Sequence, residues 1–575
     1  MKRFFWHMTL VVALAIVAAI GQGACGAGDD ASGSWDTWDA SSDGARDWGA
    51  DADADAPSEW GGADADADAD ADVDTWLPPE DEELPDFHAP QGSNRFVYLS
   101  NPIGDNVVVI DSQRLTLDLV EVGDTPTELK TLGTRDAAVV IDSGSDDVAV
   151  IRTTPGVGSD VSFEPIAPGA NALSVSPDGS YGISFFDADS GDRARPPNMQ
   201  EVTLLVLEPV AEQFALRTTV RAAPGPVAVD WTDDGTRAFV IGRTGLSIVD
   251  FELVGPGYHP THVSFGTIPD PADPFGSEID REVDNVDVSG DGRLAVLAQE
   301  GQAELLVLDL ATQVISPVVL PAAPTDVDLA PDGSFALAAL RDLRQVALVD
   351  LADPEEPVIY VTAVTGVVPG QVVLTPDSRR AVIFSNAAAF EVIGVLDMES
   401  GETTAVPLKK SVRAVAVTPD GEVAVVIHNK KGTGAPGDPY LDPDDPSLDP
   451  VDDLEEIIDR TWGFSLVRFS DGLVVRHETP CDPGAWLVFA DAHKAFLTLR
   501  DDVHGIRDVL VADLIDFIAD TVHLGSPPVS LGLAPLTRKV FVGQDHATGR
   551  ISFISADTGS VQTVTGFQLN DWIVE

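Results

Sequence analysis

Cysteine is nearly missing from this chain. Only Cys25 and Cys481 occur in 575 residues, so no disulfide framework holds the fold, and its stability has to come from a buried core. No Cys-x-x-Cys-His run is present, which excludes covalent c-type haem. Basic residues are scarce too. The 34 lysines and arginines face 95 aspartates and glutamates, a formal charge of −61. A polyanion of this kind is not expected to bind DNA or RNA, nor to dock on anionic lipid. The charge suits a soluble protein outside the cytoplasm, a cation-binding surface or a salty habitat, and general solvation is its plainest role. Catalytic signatures are also lacking. There is no Gly-x-Ser-x-Gly elbow, no phosphate-binding glycine loop and no His-Glu-x-x-His.

What is present is 44% hydrophobic residues, enough for a substantial core. Valine, isoleucine, threonine and phenylalanine recur in short runs broken by glycine and proline, the composition of β structure.

Residues 1–24 have the design of a secretory signal. Lys2 and Arg3 precede an apolar run from Met8 to Ile20, and small residues follow. The run is short for a membrane span, which needs about 20 apolar residues. The stretch Gly21-Gln22-Gly23-Ala24-Cys25 resembles a bacterial lipobox, which implies lipidation at Cys25. Gln22 departs from that pattern, where an aliphatic residue is usual, and leaves ordinary cleavage as the alternative.

Residues 25–93 read as a disordered tether. From Gly26 to Ser93 there are 21 acidic residues against one arginine, Arg46. Alanine and aspartate alternate strictly over Ala50–Ala56 and Ala63–Asp72. Such a segment repels itself and cannot bury enough apolar surface to order. A flexible coil of this length spans about 45 Å. Its expected role is a spacer holding the following domain away from a membrane.

From 94 to 575 one pattern recurs. Its landmark is a turn between two apolar strands: Ser176-Pro177-Asp178-Gly179, Ala330-Pro331-Asp332-Gly333 and Thr418-Pro419-Asp420-Gly421. Variants are Thr232-Asp233-Asp234-Gly235, Ser289-Gly290-Asp291-Gly292 and Thr375-Pro376-Asp377-Ser378. Proline presets one turn position, aspartate caps the turn, and glycine accepts the positive φ. Four short strands per unit predict an all-β propeller. Ten units are expected, with second strands starting near 95, 136, 180, 236, 293, 334, 379, 422, 494 and 538. One large ring and two smaller adjacent rings both satisfy this count. The first unit lacks an obvious innermost strand, and the segment 567–574 is expected to supply it and close the ring.

The runs Val97-Tyr98-Leu99-Ser100-Asn101-Pro102, Asn106-Val107-Val108-Val109-Ile110-Asp111 and Val122-Gly123-Asp124-Thr125-Pro126 resemble the YVTN-type β-propeller repeats. The resemblance extends over nearly all of 94–575 and implies the fold. It implies no single function, because that family is diverse.

First-to-second turns are tight throughout, and the long insertions fall on the opposite face: 187–200, 268–286, 429–462, 478–485 and 501–505. Binding residues concentrate on loops carried by a rigid scaffold. The candidate binding-face residues are therefore Asp187, Asp189, Asp192, Asp270, Asp273, Asp280, Asp442, Asp444 and Asp445. The spacing of Asp187, Asp189 and Asp192 is that of part of a calcium loop without its closing glutamate; Asp442–Asp445 is similar. A solvated loop is the plainer reading of both, and no other metal or cofactor is expected. Residues 453–460 have the makings of a short helix. His259 and His262 have metal-like spacing at a third strand's start, with no third ligand nearby. Cys481 reads as an inert core residue. The expected function is non-enzymatic binding or scaffolding by a monomer anchored at the cell envelope, with a protein or carbohydrate partner. The alternatives are a lactonase- or lyase-like propeller enzyme and a subunit of an outer-membrane assembly complex. A secreted or periplasmic location is the alternative to anchoring.

Overall fold

The computed structural model describes residues 90–133, 135–187, 199–207, 218–269, 276–354, 356–429, 458 and 461–567. Residues 1–89 of the signal and tether segments lie outside these; the last four residues assigned to the tether, 90–93, are described and belong to the ring. The described residues form ten four-stranded antiparallel sheets, each a simple meander in which strand 1 pairs with 2, 2 with 3 and 3 with 4, and one two-stranded hairpin. Second strands begin at Phe96, Ala137, Tyr181, Arg237, Leu294, Phe335, Arg380, Val423, Lys494 and Lys539, each within one residue of its expected start.

The middle strands are apolar without alternation because both their faces are covered. In Ala137–Asp142 all six residues are buried, whereas the outermost strand of the first blade, Leu117–Glu121, has one buried residue, Val120. A sheet covered on both faces needs a neighbour on each side. The core supplies that arrangement as ten apolar clusters, one in each seam. Tyr98 and Val109 meet Val140 and Ile151 between blades 1 and 2. The series continues through every neighbouring pair to Leu487 and Phe496 against Val540 between blades 9 and 10. The tenth cluster joins Phe541 and Phe553 of the last blade to Val97 and Ile110 of the first. Ten blades with ten seams make one closed ring, which decides between one ring and two.

Closure differs from the sequence expectation. The innermost strand of blade 1 is Gln91–Gly92, paired with Tyr98 and Val97. The local chain before the second strand, although Pro-rich and polar, supplies it. Residues 568–575 lie outside the described part; Phe567, buried, packs into the closing cluster. Leu536 N–H donates to the Asn94 carbonyl at 2.8 Å across the same seam.

The turns behave as their composition requires. Glycines 179, 235, 292, 333 and 421 have φ between 62° and 73°. Asp332 accepts from the Ser334 N–H and hydroxyl at 3.0 and 2.6 Å. Asp178 and Asp377 accept from the preceding Ser176 and Thr375 hydroxyls, both at 2.6 Å.

Basic residues at the start of the second strands reach carbonyls of the next blade. Arg237 donates to Asp291 O (2.7 Å), Arg293 to Gly333 O (3.1 Å) and Arg380 to Gly421 O (3.2 Å). Lys494 donates to Ala556 O and Lys539 to Ser112 O, both at 2.6 Å. These five cations thus bridge seams.

Candidate functional site

Second-to-third turns and inter-blade linkers share one face of the ring, and first-to-second and third-to-fourth turns share the other. The long segments 186–200, 265–284 and 429–461 fall on the first face, whereas the insertions expected at 478–485 and 501–505 are short, because strands take up most of their residues and leave only 480–482 and 502–505. The opposite face is not uniformly trimmed, however. Third-to-fourth connections 207–217 and 251–260 extend from it. The first-to-second turns are short in all ten blades, as expected.

On the loop-rich face, blade 9 carries a turn built on Asp501. Its Oδ1 accepts the N–H groups of Val503 and His504 at 2.9 and 3.0 Å. Its Oδ2 lies 2.7 Å from His504 Nδ1. Those contacts outweigh burial and hold the Asp501 carboxyl below the usual carboxylate range. The carboxylate thereby holds the half-exposed imidazole through its Nδ1. Beside it Arg500 bridges Asp502 (2.7 Å) and Asp545 of blade 10 (2.9 Å).

Near the same face blade 8 holds three basic side chains, Arg413, Lys410 and His428. Arg413, the bulged residue at the start of the innermost strand Val412–Val417, donates to Asp482 Oδ1 at 2.6 Å and to Pro483 O at 2.9 Å. Burial still raises the Asp482 carboxyl against this pairing. Lys410, 1% exposed, donates to the carbonyls of Ile458 and Thr461. Ile458 is helical and buried; the rest of the expected 453–460 helix lies outside the described residues. The fully buried His428 contacts the Ser411 carbonyl at 3.1 Å through Nδ1 and the Ser465 hydroxyl at 2.7 Å through Nε2. The carbonyl can only accept, so Nδ1 carries the proton and Nε2 accepts from Ser465. Burial pushes this histidine down to about 3. Neutral and shut away from solvent, it is a structural group.

Innermost strands line the central channel, and blades 4 to 6 place Asp230, Asp287, Asp326 and Asp328 on theirs. Asp326 and Asp328 accept the N–H groups of Val372 and Leu374 in blade 7, both at 2.7 Å. Asp230 accepts from Val288 in blade 5, and burial, then Asp287, raises its carboxyl well above the usual range. The row covers strand-edge donors that would otherwise face the channel bare.

The residues singled out in the sequence do not come together. Asp189, Asp192, Asp270, Asp273, Asp442, Asp444 and Asp445 lie outside the described residues. Asp187 starts its loop on two bonds to Asn171, its N–H donating to Oδ1 at 2.7 Å and its carbonyl accepting from Nδ2 at 3.1 Å. Asp280 is exposed on the hairpin Thr267–Pro269/Glu278–Asp280. Among the described residues no three His, Cys, Asp or Glu side chains are grouped to hold a metal ion. His259 and His262 are exposed, and His262 lies in the fourth strand of its blade, Thr261–Ser264, not the third. The intervening loop 251–260 disguised that position. Cys481 is buried and forms no disulfide. The Asp501–His504 turn was missed, though an aspartate three residues before a histidine at a strand end marks it.

No family model and no curated relative matches the chain. Solved structures similar to it include a hydrazine synthase of Kuenenia stuttgartiensis, 16% identical over 60% of this chain and 96% of that one, TM-score 0.32. Another is the dihydro-haem d1 dehydrogenase NirN in complex with DHE, 16% identical over 70% and 76%, TM-score 0.39. A eukaryotic initiation factor is 9% identical over 72% and 94%, TM-score 0.43. Among the described residues no helix is long and apolar enough to cross a membrane.

Proposed function

We propose that the chain is an exported propeller of YVTN-type repeats, lipid-anchored through Cys25 at the cell envelope, that binds a protein or carbohydrate partner without catalysis. The loop-rich face carries this reading: a rigid ring whose core is settled seam by seam displays segments there that the fold does not need. The acidic tether gives the ring reach from its anchor, and the excess negative charge disfavours nucleic acid as the partner.

Photo-crosslinkers at Val503 and Ile279 on the loop-rich face, and at Leu253 and Leu536 on the other, test the choice of face in intact cells. Reproducible crosslinked species from the first pair alone support it; species from the second pair alone overturn it. Loss of membrane association in Cys25→Ala tests the anchor. Capture of one envelope complex that survives deletion of the tether would instead favour the assembly-subunit role.

A second reading, a propeller hydrolase or lyase, rests on the Asp501–His504 pair, a carboxylate holding a half-exposed imidazole on the loop-rich face. Lactone hydrolysis by the wild type that falls at least about a hundredfold in His504→Gln would establish it. Turnover equal to the buffer blank removes it.

A further inference from the structure

The linker Val122-Gly123-Asp124-Thr125 carries the chain from blade 1 to blade 2, and the second-to-third turn of blade 2 clasps it. Gly123 N–H donates to Asp142 Oδ2 at 3.0 Å and Asp124 N–H to Ser145 Oγ at 3.1 Å. The Ser145 hydroxyl donates onward to Asp147 Oδ1 at 2.9 Å. In return, Ser143 and Gly144 N–H donate to the carbonyls of Thr125 and Asp124 at 3.0 and 2.8 Å. From blade 1, Asp105 Oδ1 accepts the Thr125 N–H at 2.8 Å. The clasp holds Thr125 at φ 56°, left-handed backbone that a β-branched residue rarely adopts.

Asp142 has no exposed surface. Its Oδ2 takes the Gly123 donor, while Oδ1 is buried with no hydrogen-bond donor. The space is closed: a Cβ on Gly123 would lie 2.8 Å from Asp142 Cβ and 2.7 Å from Asp147 Oδ1. The two carboxyls therefore converge on the same glycine. The charged groups that act on Asp142 are Asp147 from the facing strand and Asp105 from blade 1, both acidic. Two neighbouring carboxylates, one of them fully buried, cannot both ionise cheaply, whereas one shared proton supplies the missing donor.

We infer that the clasp between blades 1 and 2 is a proton-operated fastener, locked while Asp142 donates a proton to Asp147 and loosened when both are anions. Burial, with Asp147 and Asp105 adding to it against the Gly123 N–H, pushes the Asp142 carboxyl up to about 7. A carboxyl raised on folding binds its proton more tightly folded than unfolded. The clasp is therefore firmest on the acid side, loosens as pH rises toward about 7, and changes no further above it. This device is independent of which partner the ring binds.

Hydrogen exchange of the full chain in EDTA, from pH 5 to 8.5 and corrected for intrinsic rates, reads the clasp at Gly123, Asp124 and Thr125. The wild type should lose about tenfold in protection at these amides across that range. Asp142→Asn keeps an acceptor for Gly123 and a fixed donor for Asp147, and should hold the acid-side protection throughout. Should that variant fail to fold, Asp147→Asn, donating in the opposite sense, is expected to give the same level profile. Wild-type protection that does not change with pH, or a folded variant that follows the wild-type curve, overturns the inference.

Discussion

The ammonium of Lys539 in the last blade donates to the backbone carbonyl of Ser112 in the first, at 2.6 Å. It also bonds Gln562 Oε1 at 2.9 Å, so one half-buried cation ties the outer strand of its own blade to the neighbour across the closing seam. Burial lowers its basicity, yet it is the charged form that makes both contacts. Lys539→Met keeps the stem and removes the donors. It should lower stability by about 1–2 kcal/mol, read as a shift of the urea midpoint.

Gly92 is the second residue of the closing strand. A Cβ there would lie 1.9 Å from the Leu533 carbonyl oxygen and 2.7 Å from the Phe541 ring. Backbone from the last blade occupies the space, so no side chain can swing aside to relieve it. Gly92→Ala should cost about 2–3 kcal/mol, and limited proteolysis should then cut first at the amino end of blade 1. Gly225→Ala, where an added Cβ meets nothing within 4 Å, isolates backbone strain at φ 58°; it should cost about 1 kcal/mol.

His428 has the opposite pH signature to Asp142. Its folded form resists protonation down to about 3, whereas an unfolded imidazole takes a proton near 6.5. The unfolded state therefore binds more protons between those values, and stability contributed by the neutral ring is lost as pH falls from about 6.5 toward 3. Urea midpoints of wild type and His428→Gln should diverge at pH 7.5, where the wild type keeps this contribution, and converge toward pH 4.

Arg413 neutralises Asp482 at the blade 8–9 seam. Arg413→Met leaves a carboxylate that burial already disfavours. Because Asp482 stays 41% exposed, water screens part of the loss, and a cost of about 1–2 kcal/mol is expected, short of that for a fully buried pair. The double variant Arg413→Met with Asp482→Asn should recover most of it, as a double-mutant cycle would show.

The blades were legible because the turn signal is local. Aspartate before a left-handed residue, in most cases after proline, announces the first hairpins of blades 3 to 8, and a run such as Ala137–Asp142 announces a strand covered on both faces. The number of rings was not legible, since it depends on whether Phe541 meets Val97, residues at opposite ends of the domain. The closing strand misled for a related reason. Two residues, Gln91 and Gly92, are too few to show a periodicity, and a longer apolar tail drew attention instead. The site was read least well. Asp230 and Asp328 look like ordinary strand aspartates until the ring turns their side of the strand toward a neighbour's bare edge. The cross-blade cations left a trace, a lysine or arginine at the head of most second strands, whose meaning needed the neighbouring blade.

The closing strand has one mechanical corollary. Tension applied to the segment before residue 90 reaches the ring at Gln91 and Gly92, a two-rung ladder held beside Tyr98 and Val97. Pulling from that end should peel a single short staple before any full blade shears, so under load the first blade is the ring's fuse.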